Sequence, residues 1–324
     1  MFLMRFSMRA DTSDRHARAD QYTTLLDMAA WAETRGCQAV IVSQHHDVDD
    51  GYLPSPVPVA AALAARTSTV PISVAALLLA LYEPVKLAED LAVVDLIGRG
   101  RVSYVVGIGY RDEEFAMFGV DRARRGALVE ERIGQLRRLW RDETVVVDGR
   151  AAHVTPAPFT PGGPLLAYGG GTEAAARRAG RLGMLFISES HDTGLEEAYR
   201  DEADRCGMAP VGCIFSDAAT PLTVFVADDP DRAWDEIGRH LLLDAVSYGR
   251  WNAGRRAPAS ISTATTVAGL QAEQGPYRIL TPDEARRQLA LGTPLALQPL
   301  VGGLAPEVAW RYLESAAAVT TDAD

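Results

Sequence analysis

Residues 75–119 read AALLLALYEPVKLAEDLAVVDLIGRGRVSYVVGIGYRDEEFAMFG, and the order of elements within them decides the fold. Residues 72–76 at the front and 102–106 further on are short apolar runs without alternation. Strands buried on both faces read that way, which means a parallel sheet. Between them, Pro84 suits the first turn of a helix carrying Leu87, Leu91 and Val94 on one face. Gly98 stands at its end, where helices commonly stop. Strand, helix and strand again is the alternation of an α/β fold.

The same rhythm runs outward in both directions. Further strands are expected at residues 5–8, 38–43, 165–168, 184–188, 222–226 and 295–297. Leu25, Ala29 and Ala32 fall at helical spacing ahead of Gly36, and Val129, Ile133, Leu136 and Trp140 form another stripe. Residues 307–318 read as a closing helix. Eight strands, each followed by a helix or a long connection, count out to a (β/α)8 barrel. A doubly wound sheet is the alternative, because strand order is not visible in sequence. Residues 143–154 hold an Asp148-Gly149 turn between apolar runs, a hairpin signal. Residues 248–277 mix Gly, Arg, Ser and Thr and read as an insertion before the last strand, within about 245–280. No repeat or low-complexity segment interrupts the pattern. One domain over residues 1–324 is expected, a length that suits a barrel.

Composition narrows the function. Apolar residues make up 48% of the chain, enough for a large core. No run approaches the roughly 18 apolar residues of a spanning helix. Arg5 interrupts the apolar start at Met1–Met4, so a secretory signal is not expected and the cytoplasm is. A net charge of −11 argues against nucleic acid or an anionic membrane as partner. Cys37, Cys206 and Cys213 are odd in number and scattered. They are expected as small core hydrophobes in a reducing compartment, not as disulfides or metal ligands.

Barrel enzymes build their sites at the carboxyl ends of the strands. The second strand ends in Ser43-Gln44-His45-His46. An imidazole there can donate to a developing oxyanion or move a proton near neutral pH, and loop histidines bracing a turn are the plain reading. No third ligand in characteristic spacing supports a metal. The third strand ends in small residues, Ala75 and Ala76, which let a flat ring approach the backbone or simply pack tightly. The fourth ends Gly107-Ile108-Gly109, which is not the dinucleotide fingerprint. The charges after it, Arg111 to Glu114, read as solvated loop. The fifth runs into Gly169-Gly170-Gly171-Thr172 and a helix, an arrangement that offers N–H groups to a phosphate. Thr172 is a candidate N-cap of that helix. A nucleophile elbow, a Walker loop and an HExxH motif are all missing from the sequence.

Taken in order, these segments resemble the bacterial-luciferase-like family of flavin-dependent oxidoreductases, from Met4 to about Val319. Residues 75–119 are the most specific. They contain Pro84-Val85, an Ala/Glu helix, Asp95-x-x-Gly98-x-Gly100-Arg101, the Gly107-x-Gly109 turn and Glu114-Phe115-x-x-x-Gly119. The glycine-rich segment 168–183 and the ending 297–307 fit as well.

The resemblance implies a luciferase-like barrel and assigns roles. His45 falls on the active-site histidine beside the flavin, with Gln44 where an acidic residue is frequent and His46 next to it. Ala75-Ala76 falls on a non-prolyl cis peptide under the ring. Gly107 replaces the reactive cysteine of bacterial luciferase, with Gly109 two residues on. Ile108 stands where an arginine can hold the flavin phosphate, which leaves that task to Gly170, Gly171, Thr172 and Ala175. Glu189 and Ser190 close the sixth strand near the expected ring position. The implied activity is a monooxygenase acting on paired donors, with reduced FMN and O2 oxygenating a small organic substrate. A separate flavin reductase is expected to supply the FMN, and a homodimer or higher oligomer is expected. Hydride transfer with a deazaflavin coenzyme is the alternative within the family. A non-catalytic partner subunit or flavin-storing protein is the alternative outside enzymology.

Overall fold

The computed structural model describes residues 1–10, 13–216, 220–253 and 261–321. Its strands, in chain order, are β1 (Phe2–Phe6), β2 (Cys37–Val42), β3 (Ile72–Leu78), β4 (Val102–Gly107), β5 (Val145–Val147) and β6 (Arg150–Ala152). They continue as β7 (Leu166–Gly170), β8 (Leu185–Ser188), β9 (Cys213–Phe215), β10 (Thr223–Val226), β11 (Tyr277–Leu280) and β12 (Leu295–Leu297). By contact density the chain forms two compact units.

The first unit comprises Met1–Ile41, Val48–Leu53 and the chain from Ser216 onward. Its strands run in the order β11-β10-β12-β1-β2. β10 pairs in parallel with β11 and β12, and β12 with β1. β1 begins earlier than residues 5–8. Phe2, Met4 and Phe6 alternate into the core, while Arg5 on the opposite face donates to the Leu222 carbonyl at 3.4 Å. Charge at every second position is compatible with a strand that has one dry face. β11 lies inside the segment read as an insertion. That segment also holds the end of the helix Pro230–Trp251 and the helix Val267–Glu273, while its residues 254–260 lie outside the described residues.

A buried arginine organises this unit. Arg9, just past β1, is fully buried, with its guanidinium carbon 4.5 Å from the Trp251 ring centre, 4.8 Å from Tyr52 and 5.1 Å from Tyr248. Its charge is met by Asp50 at 2.8 Å and Asp244 at 3.0 Å. The Tyr277 hydroxyl donates to the other Asp244 oxygen at 2.9 Å. Burial raises the Asp244 carboxyl above its ordinary value even though Arg9 opposes the shift. Cation–π contact and two carboxylates replace the water that the guanidinium loses.

The second unit comprises Val42–Asp47 and Pro54–Phe215, with strands in the order β3-β4-β7-β8-β9, all parallel. The edge strand β9 was not anticipated. It has three residues and leaves Ile214 exposed, too little pattern to read. The helix Pro84–Gly98 has Pro84 in its first turn and its stripe Leu87, Leu91 and Val94 buried. Gly98 is not the left-handed residue. Arg99 and Gly100 take that role, and Gly98 is needed because a Cβ there would come within 2.9 Å of Val102. Asp95, buried, accepts from the Thr160 N–H at 2.6 Å and its hydroxyl at 3.2 Å. Arg101 donates to the carbonyls of Ala64, Thr67 and Val70 at 2.8–3.0 Å. The Asp-x-x-Gly-x-Gly-Arg signature is therefore a structural staple, with each charge tied to backbone and to a threonine hydroxyl. β5 and β6 form the expected antiparallel hairpin, with positive φ at both Asp148 and Gly149.

Of the cysteines, Cys37 is buried and its thiol is pushed up to about 12 by burial. Cys213 is half-buried and raised to about 11 for the same reason, while Cys206 is exposed and not a core residue.

Replacing Arg9 by Met would leave Asp244 buried without its counter-charge. Arg9→Met should destabilise the protein by about 3–5 kcal/mol, read as a lower urea midpoint. A loss under about 1 kcal/mol would mean that the aromatic cage, not the charge, holds this cluster together.

Candidate active site

Every site residue named from sequence lies in the second unit. The segment Val42–Asp47 carries Gln44, His45 and His46, and all three are buried. His45 Nδ1 is 2.7 Å from Glu114 Oε1, and the His46 N–H donates to the same oxygen at 2.9 Å. Arg111 lies 3.6 Å from that oxygen and donates to the carbonyls of His46 and Asp47. Glu114 is completely buried. Burial alone would raise its carboxyl, but hydrogen bonds from His45 and His46 and the nearby charges outweigh it and hold it below the ordinary value.

The charges after β4 are thus not all solvated. Asp112 and Glu113 are exposed, as expected, but Arg111 and Glu114 are buried. The short helix Asp112–Met117 places Arg111, Glu114 and Phe115 at i, i+3 and i+4, one face of a helical turn. That spacing beside an apolar Phe was the available signal.

Gln44 acts as a brace. Its Oε1 accepts from the Leu78 N–H at 2.9 Å, which fixes the amide orientation, since an N–H can only donate. Its NH2 group then faces the Tyr82 hydroxyl at 2.9 Å and His46 Nε2 at 2.7 Å. His46 Nε2 is therefore an acceptor, and its proton sits on Nδ1. Burial lowers the His46 pKa, against the pull of Glu114 and helped by His45 and Arg111, so this ring is neutral at neutral pH. His45 differs. Its Nε2 lies 3.2 Å from the Tyr110 hydroxyl, and the Tyr110 ring meets the imidazole edge-on at 5.4 Å.

β3 continues to Leu78, beyond residue 76. The Ala75–Ala76 peptide is cis, and the pairing with β4 shifts register between Ala75 and Leu77. A Cβ at Gly107 would lie 2.8 Å from that of Ala76, so the parallel pairing of β3 and β4 leaves no room for a cysteine there. Gly109 has φ +72, and a Cβ there would press on Phe115 at 3.0 Å.

At the end of β7, Gly170 is also set by packing, because a Cβ there would sit 2.7 Å from Ala175. Gly171 is different. A Cβ there would meet Ser190 at 3.6 Å and Glu189 at 3.7 Å, which is ordinary contact, and its φ is not left-handed. Glu189 and Ser190 are thereby brought beside the glycine turn. The Thr172 side chain caps the helix Glu173–Arg181, accepting from the Ala175 N–H at 3.3 Å. The N–H groups of Gly171, Thr172, Glu173 and Ala174 have no acceptor among the described residues. Glu173, in the first turn, is paired with Arg177 at 2.6 Å.

Residues 1–302 match the model of a family described as luciferase-like monooxygenase. The oxygenating constituent of 3,6-diketocamphane monooxygenase from Pseudomonas putida, solved in complex with FMN, aligns with a TM-score of 0.70. It is 20% identical, with 99% of this chain and 98% of that one covered, and it shows the luciferase-like α/β fold. The F420-dependent glucose-6-phosphate dehydrogenase of Beutenbergia cavernae is 33% identical over 67% of this chain and 68% of its own. The oxygenase component of the flavin-dependent trigonelline monooxygenase of Acinetobacter baylyi is 26% identical over 43% of this chain and 40% of its own. The chain spans little more than half the length of the first curated relatives it matches, 56% and 51%.

Glu114 gives the fold a defined acid sensitivity. As pH falls, the unfolded chain takes up this proton near the ordinary value of 4.5, before the folded protein does. The stabilisation is full above that value and is lost as pH drops through the lower folded one. Glu114→Gln should therefore flatten the acid limb of the stability curve, measured as urea midpoint against pH. Superimposable acid limbs would contradict this.

Proposed function

From a chain that belongs to the luciferase-like monooxygenase family, we propose a flavin-dependent monooxygenase in which reduced FMN and O2 oxygenate a small organic substrate. Gly171 carries the reading. Neither its backbone angle nor its neighbours demand a glycine, yet it stands among backbone N–H groups that lack acceptors among the described residues, at a helix N-terminus. A missing side chain at such a place suits an anion that must reach the backbone. The residues present therefore fit a flavin phosphate, with Gly170, Gly171 and Thr172 forming the turn and Ala175, Glu189 and Ser190 beside it. With Ile108 in place of an arginine, the phosphate would be held by main chain and helix dipole.

Ala75, Ala76, Gly107 and Gly109 offer a nearly side-chain-free surface on which a flat ring can rest. Bound reduced flavin supplies the electrons that activate oxygen. This chain's own residues orient the reactants and exclude water. His45 Nε2 and the Tyr110 hydroxyl are the groups placed to hold or pass a proton, while Gln44 and His46 keep that loop in place. A separate reductase supplying the flavin is part of the proposal, supported by the Acinetobacter relative's description as an oxygenase component. A second reading, hydride transfer with a deazaflavin coenzyme, is favoured by one observation, the 33% identity to the Beutenbergia dehydrogenase.

Anaerobic titration of the protein with reduced FMN and reduced riboflavin tests the phosphate assignment. Gly171→Ala should keep the fold, since its Cβ has room. It should weaken FMN at least about tenfold while changing riboflavin little, because only FMN carries the phosphate. Equal losses for both, or tight binding of a deazaflavin with no response to FMN, would reject the leading reading.

His45→Ala should keep the fold and most of the flavin affinity. Positioned acid–base groups contribute on the order of 10²–10⁴-fold, so turnover in a single-turnover oxidation with substrate should fall at least about tenfold. Unchanged turnover would make the histidine structural.

A further inference from the structure

Glu114 lies outside the strand ends, is completely buried, and is not needed to cap its own short helix. Its Oε1 nevertheless receives three groups: His45 Nδ1 at 2.7 Å, the His46 N–H at 2.9 Å and Arg111 at 3.6 Å. We propose that Glu114 is a positioning residue that fixes the tautomer of His45, holding the proton on Nδ1 and leaving Nε2 as the nitrogen that works. The proposal rests on the reading of His45 as the working imidazole.

Donors and acceptors decide the tautomer. An ionised carboxylate can only accept, so a ring nitrogen 2.7 Å from it has to carry a proton. A neutral imidazole has one N–H and one bare nitrogen, so Nε2 is then bare. The Tyr110 hydroxyl, 3.2 Å away, donates to it. In the other tautomer Nε2–H would point at Tyr110, and Nδ1 would set a lone pair against a buried carboxylate. A hydrogen bond to an ionised acceptor is roughly twice as strong as a neutral one. Glu114, not Tyr110, therefore decides. The carboxylate cannot drift to serve another ring atom, because the His46 N–H and Arg111 hold the same oxygen. Since Arg111 also grips the His46 and Asp47 carbonyls, the loop carrying His45 and the helix carrying Glu114 are locked as one piece. The result is a directional chain from Glu114 through His45 to Tyr110, with the basic nitrogen on the side away from the carboxylate.

The test is 15N NMR of protein labelled at its six histidines, without flavin, with the His45 signals identified by their loss in His45→Ala. Spectra are followed upward in pH until the ring is neutral. The wild type should then show a protonated, pyrrole-type Nδ1 and a bare, pyridine-type Nε2. Glu114→Gln should keep this pattern, because its amide oxygen can replace Oε1. Glu114→Ala should move His45 toward the opposite tautomer, and Tyr110→Phe should not. A wild-type ring protonated on Nε2 would overturn the proposal, as would an unchanged tautomer in Glu114→Ala or a reversed one in Tyr110→Phe. If Glu114→Ala does not fold, the wild type and Tyr110→Phe still decide. Since no flavin takes part, this result is independent of the turnover of His45→Ala, which tests the functional reading by itself.

Discussion

Glu114 is a carboxylate taken out of water, and the protein gathers its compensation on a single oxygen, Oε1. Its three partners come from two places: the loop of Gln44, His45 and His46, and the N-cap of its own helix, Arg111. Removing any one would leave charge buried with poorer compensation, so the set persists only as a whole. The orientation of His45 is thus a consequence of the electrostatics around Glu114. Gln44 plays the corresponding neutral part for His46, passing the fixed direction of the Leu78 N–H through an amide to a ring nitrogen.

The first unit solves the same problem with the opposite sign. Arg9 is as fully buried as Glu114, and it is surrounded by three aromatic faces and two carboxylates. Aromatic rings are useful here because they fill space and favour a cation without competing for its hydrogens. Neither cluster is an efficient source of stability compared with a packed apolar core. Both make one arrangement of loops far better than its neighbours, and a site needs that kind of definition.

The glycines at the strand ends differ in why they are there. Gly107 and Gly170 leave room for the Cβ atoms of Ala76 and Ala175, and Gly109 takes a left-handed turn. None of the three needs a ligand to explain it. Gly171 has space for a methyl group and an ordinary backbone, so packing gives no reason for its identity. A glycine run read as one phosphate loop therefore separates into one residue free to serve a ligand and others bound to the fold.

Much of this protein follows from local chemistry. The parallel strands, the helices with their Pro and Thr starts, the hairpin at Asp148-Gly149 and the place of His45 at a strand end were all legible, because period, capping and turn residues act over a few positions. The weakest patterns were lost: β9 for shortness, β11 within a polar stretch, and the start of β1 behind Arg5. What remained hidden was whatever depends on partners distant in sequence. Glu114 and Arg111 read as solvent-facing charges, since nothing near them shows that residues 44–47, some 65 positions away, would cover them. Gln44 likewise gave no local sign that Leu78 and Tyr82, 34 and 38 positions away, would be its partners. A residue's type and spacing state what it can donate, accept or bury. Only the packed chain decides which of these it is required to do, because burial removes the water that would otherwise satisfy every alternative equally.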